Sequence, residues 1–232
     1  MMIKEFVNWL LPHKCLICNC ETIEDSVFCA QCFFLVVLVD YPFCKMCGKM
    51  FETSIMEGDL CETCSTFRKK FNFARALFLY NHVSKQVIMK IKKQSDNETA
   101  RKCCKMIFSK YKDLFKSANL IVPVPSHWTR ILKRGYNPAS IIAIELSKIS
   151  NIQYCNVLKR IRKTDYQKNK TIQERIENVK GAFFCRKDLS DQTVILVDDV
   201  FTTGATLNEC SDSLKKSGCR EVICFTLATT GQ

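Results

Sequence analysis

Beyond about residue 71 the apolar positions alternate between short unbroken runs and longer stretches at helical spacing. Ala74–Tyr80, Leu120–Val124, Thr193–Val197 and Glu221–Leu227 read as strands. Between them, Val83–Lys93, Asn97–Lys116, Asn137–Ile149 and a segment from about Gly204 to Lys216 read as helices. Asn137 supplies an N-cap, Pro138 takes the first helical position, and Ser217-Gly218 ends the last helix. Strands separated by helices predict an α/β fold: a parallel sheet with helices on both faces. Residues 1–68 lack this alternation and are expected to form a separate module, with residues 69–232 as the α/β domain. Ile3, Phe6, Val7 and Leu10 lie at helical spacing and predict a short helix packed on that module. A membrane-surface helix, which would give peripheral association, fits less well, because Lys4 is its only basic residue.

Cysteine spacing explains what holds the front module together. Four Cys-x-x-Cys pairs, Cys15/Cys18, Cys29/Cys32, Cys44/Cys47 and Cys61/Cys64, fall within the first 64 residues. Each pair can turn two sulfurs toward one metal, and two pairs complete a tetrahedral Zn²⁺ site with no open position. Two structural zinc ions are therefore expected, with iron–sulfur ligation as a minor alternative. Sequential pairing needs the shorter loops, but spacing leaves interleaving open; His13 or Cys20 beside the first pair could substitute as ligands, although a bystander role is the better expectation for both. The remaining cysteines, Cys103, Cys104, Cys155, Cys185, Cys210, Cys219 and Cys224, are expected to be mostly buried thiols.

The longest wholly apolar run, Phe33–Val39, is far below the ~20 residues that cross a bilayer. Glu5 and Asn8 interrupt the N-terminal stretch, so it does not read as a secretory signal, and a cytoplasmic location is expected. In that reducing compartment metal ligation is favoured over disulfides. Charge divides the chain further. The net +12 comprises −4 in residues 1–68 and +16 in the remainder. Eight zinc-bound thiolates would make the front module more acidic still. A polyanionic partner is therefore expected on the second part alone.

The strongest chemical signal is Val194-Ile195-Leu196-Val197-Asp198-Asp199-Val200-Phe201-Thr202-Thr203-Gly204-Ala205-Thr206. An apolar strand ends in two carboxylates, and a loop of small residues then opens a helix. Loop amides, threonine hydroxyls and the helix dipole all favour a phosphate there. Adjacent carboxylates can accept hydrogen bonds from sugar hydroxyls directly or through Mg²⁺. Phosphate and hydroxyls together describe a ribose 5-phosphate.

This stretch resembles the phosphoribosyl-pyrophosphate (PRPP) signature of type I phosphoribosyltransferases. The resemblance implies that Thr202, Thr203, Gly204, Ala205 and Thr206 hold the 5-phosphate, while Asp198 and Asp199 contact the ribose. It also implies that the pyrophosphate loop is Val122-Pro123-Val124-Pro125-Ser126. Paired cysteines ahead of such a domain resemble the ComF (ComFC) competence proteins of bacteria. Arg134-Gly135-Tyr136-Asn137 is similar to that family's Arg-Gly-Phe-Asn, with Pro138 where Gln is usual. Thr164, Gln167, Arg175, Asn178, Ala182 and Phe183 follow its Thr-x-x-Gln…Arg-x-x-Asn…Ala-Phe pattern. The resemblance implies a role in natural transformation, in handling incoming single-stranded DNA, with other competence proteins as candidate partners.

Among phosphoribosyltransferases acting on 6-oxopurines, a carboxylate opens the phosphate loop. Thr202 stands there instead, and its hydroxyl is too weak a base for that role. Adenine-type, orotate-type and non-catalytic readings stay open. Phe183 and Phe184 could stack on a base, although a core role is the better expectation. Residues 159–175 carry Lys159, Arg160, Arg162, Lys163, Lys168, Lys170 and Arg175 against Asp165 and Glu174, with Tyr166 among them. With Arg134, these basic residues and Tyr166 are the candidate DNA-binding surface. The phosphoribosyltransferase resemblance places a flexible, site-covering loop in the same segment. Lys102, Lys105, Lys110, Lys112 and Lys116 read as the wet face of a helix. The sequence thus supports three functions: a DNA-uptake protein binding PRPP and single-stranded DNA, a phosphoribosyltransferase of unknown base, or a zinc-dependent protein adaptor.

Overall fold

The computed structural model describes residues 13–22, 26–51, 60–162 and 171–230. The expected helix over Ile3–Leu10 lies outside these residues. Five parallel strands form the central sheet in the order β1-β7-β6-β2-β3. They are β1 (Phe73–Leu79), β2 (Leu120–Pro123), β3 (Gln153–Tyr154), β6 (Thr193–Phe201) and β7 (Glu221–Thr229). A separate antiparallel pair joins β4 (Leu158–Arg160) to β5 (Phe183–Cys185). The α/β expectation is met, with helices on both faces.

Strand β6 shows why the central strands read as unbroken apolar runs. Ile195 and Val197 share one buried cluster with Ile88 and Ile91 of α3 (His82–Gln94), Ile107 of α4 (Asn97–Phe115) and Ile142 of α6 (Pro138–Ser150). Val194 and Leu196 join the opposite cluster with Leu207 and Leu214 of α8 (Ala205–Lys216). Alternation with a period of two becomes invisible when both faces are covered. Asn137 caps α6 as expected, its side chain accepting from the Ala139 amide, and Pro138 opens the helix.

The remaining helices are short: α1 (Ala30–Phe33), α2 (Glu62–Thr66), α5 (Trp128–Arg134) and α7 (Ile172–Val179). The last corrects the reading of residues 159–175 as one basic loop. Lys159 and Arg160 lie in β4, and a reciprocal Thr171–Glu174 cap starts a helix that carries Arg175. Such capping boxes satisfy two orphan amides at once.

The lysine face on α4 is exposed as expected at Lys105, Lys112 and Lys116 but corrected at two positions. Lys102 is buried, donating from Nζ to the Lys14 carbonyl at 3.2 Å and pairing with Glu98. Lys110 donates to the Val39 carbonyl at 2.6 Å and pairs with Asp40 at 3.3 Å. Both cations reach the cysteine-rich module, Lys102 buried and Lys110 still partly exposed. Further contacts fix the module along the outer edge of β1. The Val39 amide donates to the Leu77 carbonyl and the Leu79 amide to that of Val37. Arg75 of β1 donates to the Lys45 carbonyl and lies over the rings of Phe43 and Phe73.

Candidate functional site

The cysteines assemble into two groups, Cys15/Cys18/Cys29/Cys32 and Cys44/Cys47/Cys61/Cys64. Within each group all four sulfurs lie within 4.8 Å of one another. The pairing is thus sequential, not interleaved. Ligands about 2.3 Å from a tetrahedral Zn²⁺ stand roughly 3.8 Å apart. Cys18 and Cys29 sulfurs are 3.7 Å apart, and those of Cys47 and Cys61 are 3.6 Å apart. Backbone amides already point at the sulfurs, with Ile17 donating to Cys15, Cys32 to Cys29 and Cys61 to Cys44. Such donors stabilise thiolate charge, and the donor sets fit zinc. Cys20 stands beside the first group, 3.2 Å from the Cys18 sulfur, but is not a member.

The two groups differ in their surroundings. The second is wholly buried and packs into the same core cluster as Phe71, Phe201 and Ala205. Gly48, in its first knuckle, has φ +72°, and a Cβ there would meet the Ala74 carbonyl oxygen at 2.8 Å. Close approach to β1 therefore requires glycine at this turn. Cys15 and Cys32 of the first group join the opposite cluster instead. Of the other cysteines, Cys155 is half-buried and the remaining six are buried. Burial pushes the Cys103 thiol up to about 12.

At the C-terminal end of β6, Asp198 and Asp199 sit half-buried, and the Asp199 amide donates to Asp198 Oδ1 at 2.8 Å. Desolvation, reinforced by the Asp199 charge, pushes the Asp198 carboxyl up to about 7. Asp199 is paired with Lys92 Nζ of α3 at 2.9 Å. Sequence patterns did not identify Lys92, which lies 107 positions earlier on a helix read only as packing.

Thr202 and Thr203 lead into Gly204, the α8 N-cap, at φ +72°. A Cβ on Gly204 would lie 2.5 Å from the Phe201 ring, so only glycine fits. A glycine N-cap offers no side chain to the first-turn amides, and apart from the Ala205 amide donating to Thr203 Oγ1 at 3.4 Å that end of the helix is suited to an anion. Asp198, Thr202, Gly204, Ala205 and Thr206 together line a small hollow. Next to it lies a cleft of about 310 Å³. Cys47, Cys61 and Cys64 line it together with Thr202 and Thr203, and Arg175 contributes from α7. The second cysteine group therefore borders the loop that starts at Thr202.

The proline loop is close by. Pro123 and Val124 are buried, Pro125 is half-buried, and the Val124 amide donates to the Val197 carbonyl at 2.8 Å. Asn137 explains its place in the Arg-Gly-Tyr-Asn stretch. Its amide donates to the Val124 carbonyl and accepts from the Ser126 hydroxyl, pinning the loop to the start of α6. The Tyr136 hydroxyl accepts from the Ser95 amide at the end of α3, the helix that carries Lys92.

The candidate cations occupy different settings. Arg160 is half-buried over Phe183, its pKa lowered by desolvation and then by Arg130, with Asp198 opposing. Arg162 donates to the carbonyls of Lys180 and Asn178 and so caps the end of α7. Arg134 is exposed on α5. Lys163, Tyr166 and Lys168 lie outside the described residues. Phe183 is buried as expected, whereas Phe184 is 55% exposed.

Comparison with known proteins agrees with this two-part architecture. Residues 6–65 match the family described as double zinc ribbon domain, and residues 129–232 match the phosphoribosyl transferase domain. Competence protein F of Haemophilus influenzae is 27% identical over 93% of this chain and 96% of that protein. Competence protein ComFC of Streptococcus pneumoniae is 26% identical, covering 92% and 99%. The DNA utilization protein YhgH of Escherichia coli is 22% identical, covering 93% and 90%. No helix among the described residues is long and apolar enough to cross a membrane.

Proposed function

Because the chain belongs to the ComF (ComFC) family, we propose that it is a cytoplasmic competence protein that handles single-stranded DNA during natural transformation and binds PRPP with Mg²⁺. The observation carrying the ligand reading is the juxtaposition at the end of β6. Asp198 and Asp199 stand where ribose hydroxyls or Mg²⁺ would be held, and Thr202–Thr206 lead into a helix start without a side-chain cap. Pro123, Val124 and Pro125 would border the pyrophosphate. The DNA reading rests on the charge split, on the relatives' names and on the cations Arg134, Arg160, Arg162, Lys163, Lys168 and Arg175, with Tyr166. Other competence proteins are the proposed protein partners. A protein-adaptor role is favoured by one separate observation, the exposed apolar run containing Phe33, Phe34 and Leu35 on the ribbon module.

Mg²⁺·PRPP is expected to raise the melting temperature of the intact protein. Asp199→Asn should weaken that binding about tenfold or more, by removing a charged acceptor. No shift at millimolar PRPP, or an undiminished one in the variant, rejects the PRPP reading. Pyrophosphate release in the presence of single-stranded DNA would mark the protein as a transferase; binding without release marks a PRPP-dependent binding module.

A further inference from the structure

Helix α5 runs from Trp128 to Arg134 directly after the proline loop, and none of its residues is buried. Seven residues are too few to hold a helix without a packed face. His127 caps its start, with Nδ1 accepting from the Thr129 amide, and Gly135 at φ +81° ends it. Trp128, Ile131 and Leu132, at positions i, i+3 and i+4, share one face. Trp128 is 62% exposed and Leu132 is 76% exposed. Arg130, Lys133 and Arg134 occupy the neighbouring face at the same spacing, and the helix carries no acidic residue. The His127 ring lies 5.5 Å from the indole, bracing it.

The setting suggests what covers this face. Arg130 is close enough to Arg160 to depress its pKa, and Arg160 in turn interacts with Asp198. Helix α5 therefore extends the cationic flank of the proposed phosphoribosyl site. On β5, exposed Phe184 pairs directly with Lys159 on β4, repeating the combination of aromatic surface and cation. By contrast, the exposed apolar residues Phe33, Phe34 and Leu35 have no basic residue among or beside them.

We propose that α5 is a stacking platform for single-stranded nucleic acid: a nucleobase lies on the Trp128 indole while Arg130, Lys133 and Arg134 take the flanking phosphates. Aromatic surfaces and backbone-tracking cations are the two components of sequence-tolerant single-strand binding. Three apolar side chains on a seven-residue helix form a narrow face for a lipid surface, whereas one indole matches one base. This inference rests on the single-stranded DNA reading above and assigns it a contact on α5.

The chain has two tryptophans, Trp9 and Trp128, so Trp9→Phe leaves Trp128 as the sole indole reporter. Titration of that variant with oligo(dT) is expected to quench its fluorescence. In the otherwise wild-type protein, Trp128→Ala should weaken oligo(dT) binding about tenfold without changing the salt slope, because the lost contact is uncharged. Trp128→Phe should keep most of the affinity. Changing Arg130, Lys133 and Arg134 to Ala should flatten the slope by about two, at roughly 0.7 per phosphate contact. An unchanged melting temperature in Trp128→Ala verifies that the fold is retained. Full oligo(dT) affinity in Trp128→Ala overturns the platform alone, while absent oligo(dT) binding by the wild-type protein overturns the DNA reading itself. Quenching by phosphatidylglycerol vesicles but not by oligo(dT) overturns the platform in favour of a membrane contact.

Discussion

Asp198 is the residue whose setting has the clearest consequence. A free aspartate titrates near ~3.9, whereas desolvation at the strand end and the Asp199 charge move this carboxyl up to about 7. Between these values the folded protein holds a proton that the unfolded chain has released. The contribution of this group to stability is therefore present below about pH 4 and lost as pH rises through about 7. Asp198→Asn should remove that slope and melt above the wild-type protein at pH 8, as followed by circular dichroism from pH 5 to 8. A variant that melts lower at pH 8 with an unchanged slope would show that another group titrates. The acid pair itself was legible in the sequence, because two carboxylates after an apolar run stand out locally. Lys92, 2.9 Å from Asp199, was not; its partner is set by the packing of α3 beside the sheet, which no local pattern encodes.

Legibility among the elements follows burial. Strands β1, β2, β6 and β7 and helices α3, α4, α6 and α8 bury continuous or periodic apolar positions, and each was located within a few residues. Strand β6 ran farther than expected, to Phe201, because its two carboxylates continue the extended chain. Helix α5 has seven residues, none buried, and β3 has only two, so each is too short for its pattern to stand out. Two cysteine groups with the same Cys-x-x-Cys spacing also acquire different roles from their packing. The second group borders the cleft beside Thr202 and Thr203 and shares a core with Phe71, whose ring meets Phe201 edge-on at 6.3 Å. Phe201 in turn fills the space beside Gly204. Cys64→Ser should therefore abolish most of the PRPP-induced thermal shift, whereas Cys18→Ser in the first group should leave it largely intact. Elemental analysis should find about one zinc lost in each variant. Equal losses of PRPP response would show that the second ribbon has no special connection to the loop.

At the scale of the whole molecule, the acidic front and the basic domain are joined by more than their opposite charge. Lys102 and Lys110 donate to carbonyls of the ribbon module, Arg75 donates to a third, and the Val37–Val39 segment pairs with the outer edge of β1. That edge would otherwise present unpaired backbone groups, a template for association with other chains. Two of the five lysines read as solvent-facing, Lys102 and Lys110, are thus structural, and their contacts span 88 and 71 positions, a separation that helical periodicity cannot reveal. Because each ribbon depends on metal to order its loops, zinc should stabilise the sheet as well as the ribbons. Calorimetry of the zinc-loaded protein is expected to show one cooperative transition. Removing zinc with a chelator should lower the temperature of that transition and promote aggregation as the β1 edge is uncovered. Two transitions, with the upper one unmoved by chelation, would mean that the α/β domain stands without its ribbons and that the lysine clamps contribute little to its stability.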